Sequence, residues 1–255
     1  MIDLVVVNYK TYGLIHNFLE SYRKFKPTTD SRVILIDNES NDELLYKLDT
    51  TDIEVYPFKE NLGYAGACNF GASLGDSEYV AFLNSDTEFV NDTCVDICVD
   101  YLEKNPKVGV VGPLQYNKNH QVTHAGIFGT HGAPKHRDFK QKVNDKHRDT
   151  RDAVTVSGSA LFTTRIAWND MAKCPLFVEM FPDAVGAFPP FPHMYEETLY
   201  NYHLHAHGYR CVYLGTAEMI HEWHQSSPVG SQTRNMKEGQ TMFREFCDNH
   251  GIDHD

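Results

Sequence analysis

The 255-residue sequence predicts an α/β fold, a single domain with a mainly parallel central sheet flanked by helices. Three observations carry that expectation. Short apolar runs alternate with helix-period segments, which is the pattern of right-handed crossovers between parallel strands. Polar residues follow those runs repeatedly, where open α/β sheets bind ligands. No repeat and no linker-like stretch divides the chain.

The elements follow in order. Ile2–Asn8 reads as a buried first strand, and Ile15, Phe18, Leu19, Tyr22 and Phe25 recur at helical spacing until Pro27 stops them. Arg32–Asp37 is a second buried strand, Leu44, Leu45 and Leu48 mark a short helix, and Ile53–Pro57 is a third strand. Gly63-Tyr-Ala-Gly66 opens a small-residue helix that runs to about Leu74, and Tyr79–Asn84 is a fourth strand. Asp92 is placed to cap a helix with Val95, Val99 and Leu102 inward, and Val108–Val111 closes the first half.

From Tyr116 to Asp152 the pattern dissolves into polar, His- and Lys-rich sequence. A loop that long inside a domain is functional or mobile as a rule. Ala153–Thr163 is extended, Cys174–His193 is irregular, and Tyr195–His207 suits a helix ending at Gly208. Cys211–Leu214 and Glu218–His221 read as two short strands, and a terminal helix covers Thr233–His250.

Composition removes several function classes. The net charge of −12 opposes a protein that grips nucleic acid. The basic-rich stretch from Lys135 to Arg151 is interrupted by Asp138, Asp145 and Asp149 and reads as a solvated loop. No apolar run reaches the ~18 residues of a membrane span, and the first residues have no basic leader, so stable membrane insertion is not expected and the setting is read as cytoplasmic. Six scattered cysteines without a Cys-x-x-Cys pair read as free thiols, with Cys94 and Cys98 packed in the core.

The polar strand ends supply the candidate site: Asn8 and Tyr9, Asp37, the Asn61-Leu-Gly63 loop, and Asn84-Ser85-Asp86. Asp86 stands out, because a carboxylate at a strand tip can hold a hard divalent cation that neutralises a diphosphate. Neither a Walker loop nor a G-x-G-x-x-G follows the first strand, so a nucleotide would be held through metal and backbone contacts.

These segments, in their order, resemble the inverting family-two glycosyltransferases of the GT-A (Rossmann-like) fold, in particular their rhamnosyltransferase-like and galactofuranosyltransferase-like branch. The likeness is carried by Val5–Thr11, Ile34–Ser40, Asn61–Asn69, Phe82–Thr87, Val108–Pro113, Val156–Ala160, Tyr195–Glu197, Gly208–Tyr213 and Ile220-His221. It implies a metal-dependent enzyme that moves a sugar from a UDP- or dTDP-sugar to an acceptor hydroxyl with inversion. Asp37 is implied to contact the base, with Asn8 and Tyr9 in the same pocket. Asn61, Gly63 and Asn69 belong to the nucleotide-sugar segment.

Asn84-Ser85-Asp86 is similar to the family's DxD motif, with Asn in the first place and Asp86 on the metal. His221 falls where some members have a metal-binding histidine, and a mixed carboxylate and imidazole set suits manganese at least as well as magnesium. Glu196 and Glu197 occupy the place of the Glu-Asp pair whose second acid is the general base, which favours Glu197. Residues 1–113 would form the nucleotide-sugar half, and 114–255, with the 116–152 and 174–194 segments and the terminal helix, the acceptor half. The acceptor stays open among carbohydrate, glycolipid, protein and modified nucleobase.

Other readings fit less well. Glu196 and Glu197 are adjacent, so they cannot face each other across a sugar as a glycosidase pair must. A degenerate protein that binds nucleotide-sugar or carbohydrate without turnover is the alternative, motivated by Asn84 and Glu197. His221-Glu-Trp-His224 lacks an evident third zinc ligand. Phe188, Phe191, Tyr195 and Trp223 are either a sugar-stacking wall or core, and His203, His205 and His207 are expected on a solvated helix face.

Overall fold

The first strand, β1 (Ile2–Asn8), is apolar on both faces because the elements that follow cover both of them. In the computed structural model, which describes residues 1–40, 47–129, 135–191, 194–223 and 232–252, α1 (Tyr12–Lys24) leads to β2 (Ser31–Asn38) and β3 (Glu54–Phe58). Then come α2 (Gly63–Ser73) and β4 (Tyr79–Asn84). Strands β1, β2, β3 and β4 pair in parallel, in the spatial order β4-β1-β2-β3. Leu44 and Leu45 of the expected short helix lie outside the described residues, as do His193 and His224.

Alternation within β1 sets the layers. Val5 joins one core face with Ile34, Phe82 and Tyr200, while Leu4 and Val6 join the other with Ile15, Phe18 and Leu19. Burying each such side chain contributes ~1.5–3 kcal/mol, which is why the helix-period residues of α1 dock where they do. Register then levels the strand tips: Asn8 lies opposite Asp37, and Val7 opposite Asn84.

The next elements are β5 (Thr87–Phe89), α3 (Cys94–Lys104) and β6 (Val108–Tyr116). Asp92 does not cap α3. It is exposed, and the Asn91 Oδ1 accepts from the Thr93 N–H (3.1 Å) and hydroxyl (3.0 Å), a turn that starts the helix one residue later than expected.

The polar stretch after Tyr116 is more ordered than its composition implies. It holds β7 (Val122–His124), the small hairpin of β8 (Ile127–Phe128) with β9 (Lys135–His136), a 3-10 turn at Asp145–Arg148 and β10 (Thr150–Ala153). His147 is buried there, completing a capping box with Asn144, so the basic segment is only partly a solvated loop.

The chain closes with β11 (Ala160–Thr164), α4 (Arg165–Ala172), α5 (Pro175–Met180), α6 (Glu196–Ala206), β12 (Arg210–His221) and α7 (Gln232–His250). Gly208, at φ +81°, ends α6 as expected. The two strands expected between Cys211 and His221 are one strand with a register shift between Leu214 and Glu218. Within that shift Gly215 lets the backbone approach the His147 carbonyl, where a Cβ would collide.

Strand β11 runs antiparallel between β4 and β6 and therefore begins at the edge where β4 ends. A third apolar cluster, including Phe177, Leu199, Phe243 and Phe246, joins α5, α6 and α7. All six cysteines are free and buried. Among the described residues no helix is long and apolar enough to cross a membrane.

Candidate active site

Asn8, at the end of β1, donates to Ser40 Oγ (2.9 Å) and to Asp37 Oδ1 (3.3 Å), while its Oδ1 accepts from the Thr11 hydroxyl (2.7 Å). Thr11 is also 2.9 Å from Ser85 Oγ, so one hydrogen-bonded chain ties the tips of β1, β2 and β4. Tyr9 stands half-exposed beside this chain, its hydroxyl receiving a bond from Lys10 Nζ (3.0 Å). Thr11 and Ser40 were not singled out from sequence, because a hydroxyl in a turn carries no signal of its long-range partner.

The Asn61 loop is held by Asn38, which donates to Asn61 Oδ1 (2.9 Å) and accepts from the Leu62 N–H (2.7 Å). Gly63, at φ +71°, makes the left-handed turn into α2 that a side chain would strain. Asn69 is buried, and both ends of its amide are taken by the Phe188 backbone (2.9 and 3.1 Å), so it fixes the wall of the site. Phe188 and Phe191 are buried in the core, which settles them as packing rather than an exposed stacking wall.

Asp86 is almost fully buried, and neither carboxylate oxygen has a hydrogen-bond partner among the described residues. Pairing of β5 with β12 sets Thr87 opposite His221, which brings His221 Nε2 to 3.5 Å from Asp86 Oδ1. A buried carboxylate with empty lone pairs is costly unless a cation or donor completes it. An oxygen and nitrogen donor set of this kind fits a divalent metal of the manganese class.

Two further histidines, missed in the sequence, gather nearby. His124 is 5.8 Å from His136 between ring centroids, and His136 and His221 pack at 5.1 and 5.7 Å from Trp223. Burial pushes the His124 imidazole well down and that of His136 to about 4, so both are neutral at physiological pH. The only signal for His124 was its place in the short alternating Val122-Thr-His run.

Glu196 and Glu197 open α6 after Met194 and Tyr195, two non-glycine residues in the left-handed region at φ +70° and +74°. Such residues cost about 1–3 kcal/mol each and persist where surrounding structure enforces them. Glu196 is 1 % exposed with Oε1 unpartnered, whereas Glu197 is half-buried against Gly158. Burial raises both carboxyls above the usual range, most strongly for Glu196, which also feels the charge of Glu197. Hydrogen bonds from backbone N–H groups, including that of Gly158, restrain the rise at Glu197.

The Asn84 N–H donates to the Ser159 carbonyl (2.9 Å), and Tyr64 donates to that of Gly158 (2.6 Å). The Ser157–Ser159 turn therefore touches the end of β4 through Ser159 and the Glu197 side chain through Gly158. On α6 itself, His205 and His207 are exposed as expected, but His203 is buried between Phe177 and Phe246 and is not on a solvated face.

A level parallel strand edge with this acid and imidazole tip defines an α/β protein of the GT-A class. Residues 3–166, well over half of the chain, match Glycosyl transferase family 2, and the chain belongs to that family. No curated protein sequence matches it. In structure it is similar to GalNAc-T7 with UDP, GalNAc and Mn2+ (TM-score 0.69, 14 % identity, covering 97 % of this chain and 48 % of that one). It is similar too to S. aureus TarS 1–349 (TM-score 0.65, 15 % identity, 97 % and 65 %). A third likeness is to the mannosyltransferase PcManGT from Pyrobaculum calidifontis in complex with GDP-Man and Mn2+ (TM-score 0.59, 16 % identity, 99 % and 62 %). The chain thus spans about half to two-thirds of the length of these proteins.

Proposed function

We propose that this protein is a metal-dependent, inverting glycosyltransferase that moves a sugar from a UDP- or dTDP-sugar to an acceptor hydroxyl, in the manner of the rhamnosyl- and galactofuranosyl-transferring branch. The observation that carries the reading is the buried Asp86 carboxylate just past β4, without a hydrogen-bond partner among the described residues and facing His221, with the Ser157–Ser159 turn touching both the end of β4 and Glu197.

In this reading Asp37, Asn8 and Tyr9 hold the nucleoside, with the Asn61–Gly63 loop beside them and Asn69 fixing the wall. Asn84 and Ser85 set the position of Asp86, and Asp86 and His221 hold a divalent cation, manganese or magnesium. Such an ion supplies charge neutralisation for a diphosphate leaving group. Glu197 is the general base: it is more open than Glu196, and its raised proton affinity suits removal of a hydroxyl proton as that oxygen attacks. Glu196, next to it and more deeply buried, has its proton affinity raised further by burial and helps to set its position. Residues 1–113 serve the donor and 114–255 the acceptor, whose carbohydrate, glycolipid, protein or nucleobase identity the acceptor screen is to decide. The six unpaired cysteines fit a reducing, cytoplasmic setting.

The test is thermal stability against UDP-, dTDP- and GDP-sugars, with and without manganese, for the wild type and Asp86→Ala. A donor at a hundredfold excess over Kd stabilises by ~2.7 kcal/mol. The expected shift needs both metal and a uridine or thymidine donor and vanishes in Asp86→Ala. A guanosine preference would refute the donor assignment, and no shift with any donor would refute the site. Donor binding without transfer to any acceptor would favour the binding-only alternative.

A further inference from the structure

We propose a second metal site, for zinc, remote from the strand tips and built from Cys174, His203 and His207, with a fourth position left to solvent. One ligand atom from each of Cys174, His203 and His207 lies within 4.8 Å of the others. The three come from two elements that the fold fixes independently. His203 and His207 are one helical turn apart on α6, with the His207 N–H bonded back to the His203 carbonyl at 3.2 Å. Cys174 begins α5, its N–H donating to Met171 and its carbonyl accepting from Val178.

A tetrahedral zinc with Zn–S of ~2.3 Å and Zn–N of ~2.0 Å needs ligand atoms roughly 3.3–3.6 Å apart. The 4.8 Å bound leaves about an ångström for the side chains to close, and the exposed His207 is free to move toward the other two. A second, independent observation points to a ligand here. His203 is 2 % exposed, wedged between Phe177 and Phe246, and its Nδ1 has no hydrogen-bond partner among the described residues. An imidazole nitrogen in an aromatic pocket without a partner is expensive to bury, and a metal would satisfy it.

His250 of α7 packs on the Phe246 ring at 4.2 Å, the ring that His203 also touches at 5.5 Å. Its Nδ1 lies 2.7 Å from the Phe246 carbonyl, and its Nε2 is buried without a partner. An N–H given to a carbonyl would fix the His250 tautomer. One thiolate with imidazoles selects zinc over hard cations such as magnesium. The ion would tie the start of α5 to the C-terminal end of α6, the helix whose first turn carries Glu196 and Glu197.

Cobalt substitution tests this on the whole chain after chelator dialysis. The cobalt form is expected to show a thiolate-to-metal charge-transfer band, which the Asp86 site cannot produce because it has no sulfur ligand. Zinc should compete it away at one equivalent per chain and raise the thermal midpoint. Cys174→Ser should abolish the band, and the band should survive in Asp86→Ala. His207→Ala, exposed and so safe for folding, should weaken cobalt binding by more than the roughly 100-fold ceiling for losing an outer-shell partner, with unchanged circular dichroism. No thiolate band in the wild type, a band that persists in Cys174→Ser, undiminished affinity in His207→Ala, or loss of the band in Asp86→Ala would each overturn the proposal.

Discussion

Replacing Gly158 by alanine probes the placement of Glu197 without touching its chemistry. The added Cβ would stand 3.3 Å from Glu197 Cγ and 3.4 Å from its Cβ and Cδ. Because three consecutive carbons face the new methyl, no single terminal torsion clears it, and the carboxylate must shift by a few tenths of an ångström. Misplacement by ~1 Å costs ~100-fold, so a shift of this size should lower kcat roughly three- to tenfold. Gly158 lies outside the left-handed region, so alanine is allowed there. The ~0.4–1 kcal/mol that alanine contributes by restricting the unfolded chain then offsets the crowding. The assay is steady-state transfer at saturating acceptor, with the thermal midpoint measured alongside. A lower kcat at unchanged donor KM and near-unchanged midpoint is expected. Full activity would refute the placement of Glu197 as base, and a fall in rate matched by lost stability would refute the reasoning from geometry.

Other perturbations follow from the same packing. Asp3 is fully buried between Arg165 (2.8 Å) and Arg32 (3.0 Å), so Asp3→Ala should cost about 3 kcal/mol in urea unfolding; this is the low end for a broken buried pair, because Arg32 keeps solvent and Glu54. Glu196 has its folded proton affinity raised above the ordinary 4.5, so the native state holds the proton more tightly than the unfolded chain and stability falls as pH rises from about 4.5 through the raised value. Glu196→Gln should remove that decline, leaving the variant no better than the wild type in acid but more stable at neutral pH in parallel melts. Tyr200→Phe removes a buried hydroxyl 2.7 Å from Thr163 Oγ1 and should cost about 1 kcal/mol, read by denaturant midpoint.

The parallel half of the fold was legible because its physics is local. A strand buried on both faces must be apolar throughout, and a crossover helix must repeat its apolar residues every turn, so β1, α1, β2 and β4 wrote themselves into composition. The antiparallel half was less legible. β7 to β10 are short and lie among polar residues, and their register depends on contacts such as that of Gly215 with His147. The same division runs through the site. Asp37 and Asp86 followed from their position after apolar runs, whereas Ser40, His124 and His136 depend on which distant residue stands opposite. His203 was misjudged because helical period alone does not reveal that α7 covers that face.

The geometry around Glu197 depends on one topological choice. Were β11 parallel to β4, its first residues would lie at the opposite end of the sheet from Asp86. Running antiparallel, it begins beside the end of β4, where Ala160 pairs with Leu83 and the Ser159 carbonyl takes the Asn84 N–H. The turn before it carries Gly158, which stands against the Glu197 side chain. From the other side, the left-handed pair Met194 and Tyr195 aims the first turn of α6 into the same space. Neither constraint alone would position the carboxylate, since a helix start can swing and a glycine turn can flex. Together they hold an acid of raised proton affinity against a strained backbone, and strain of a few kcal/mol stays only where the rest of the fold outweighs it. That is why the acid pair sits at the start of a helix buried along most of its length, and not on a free loop.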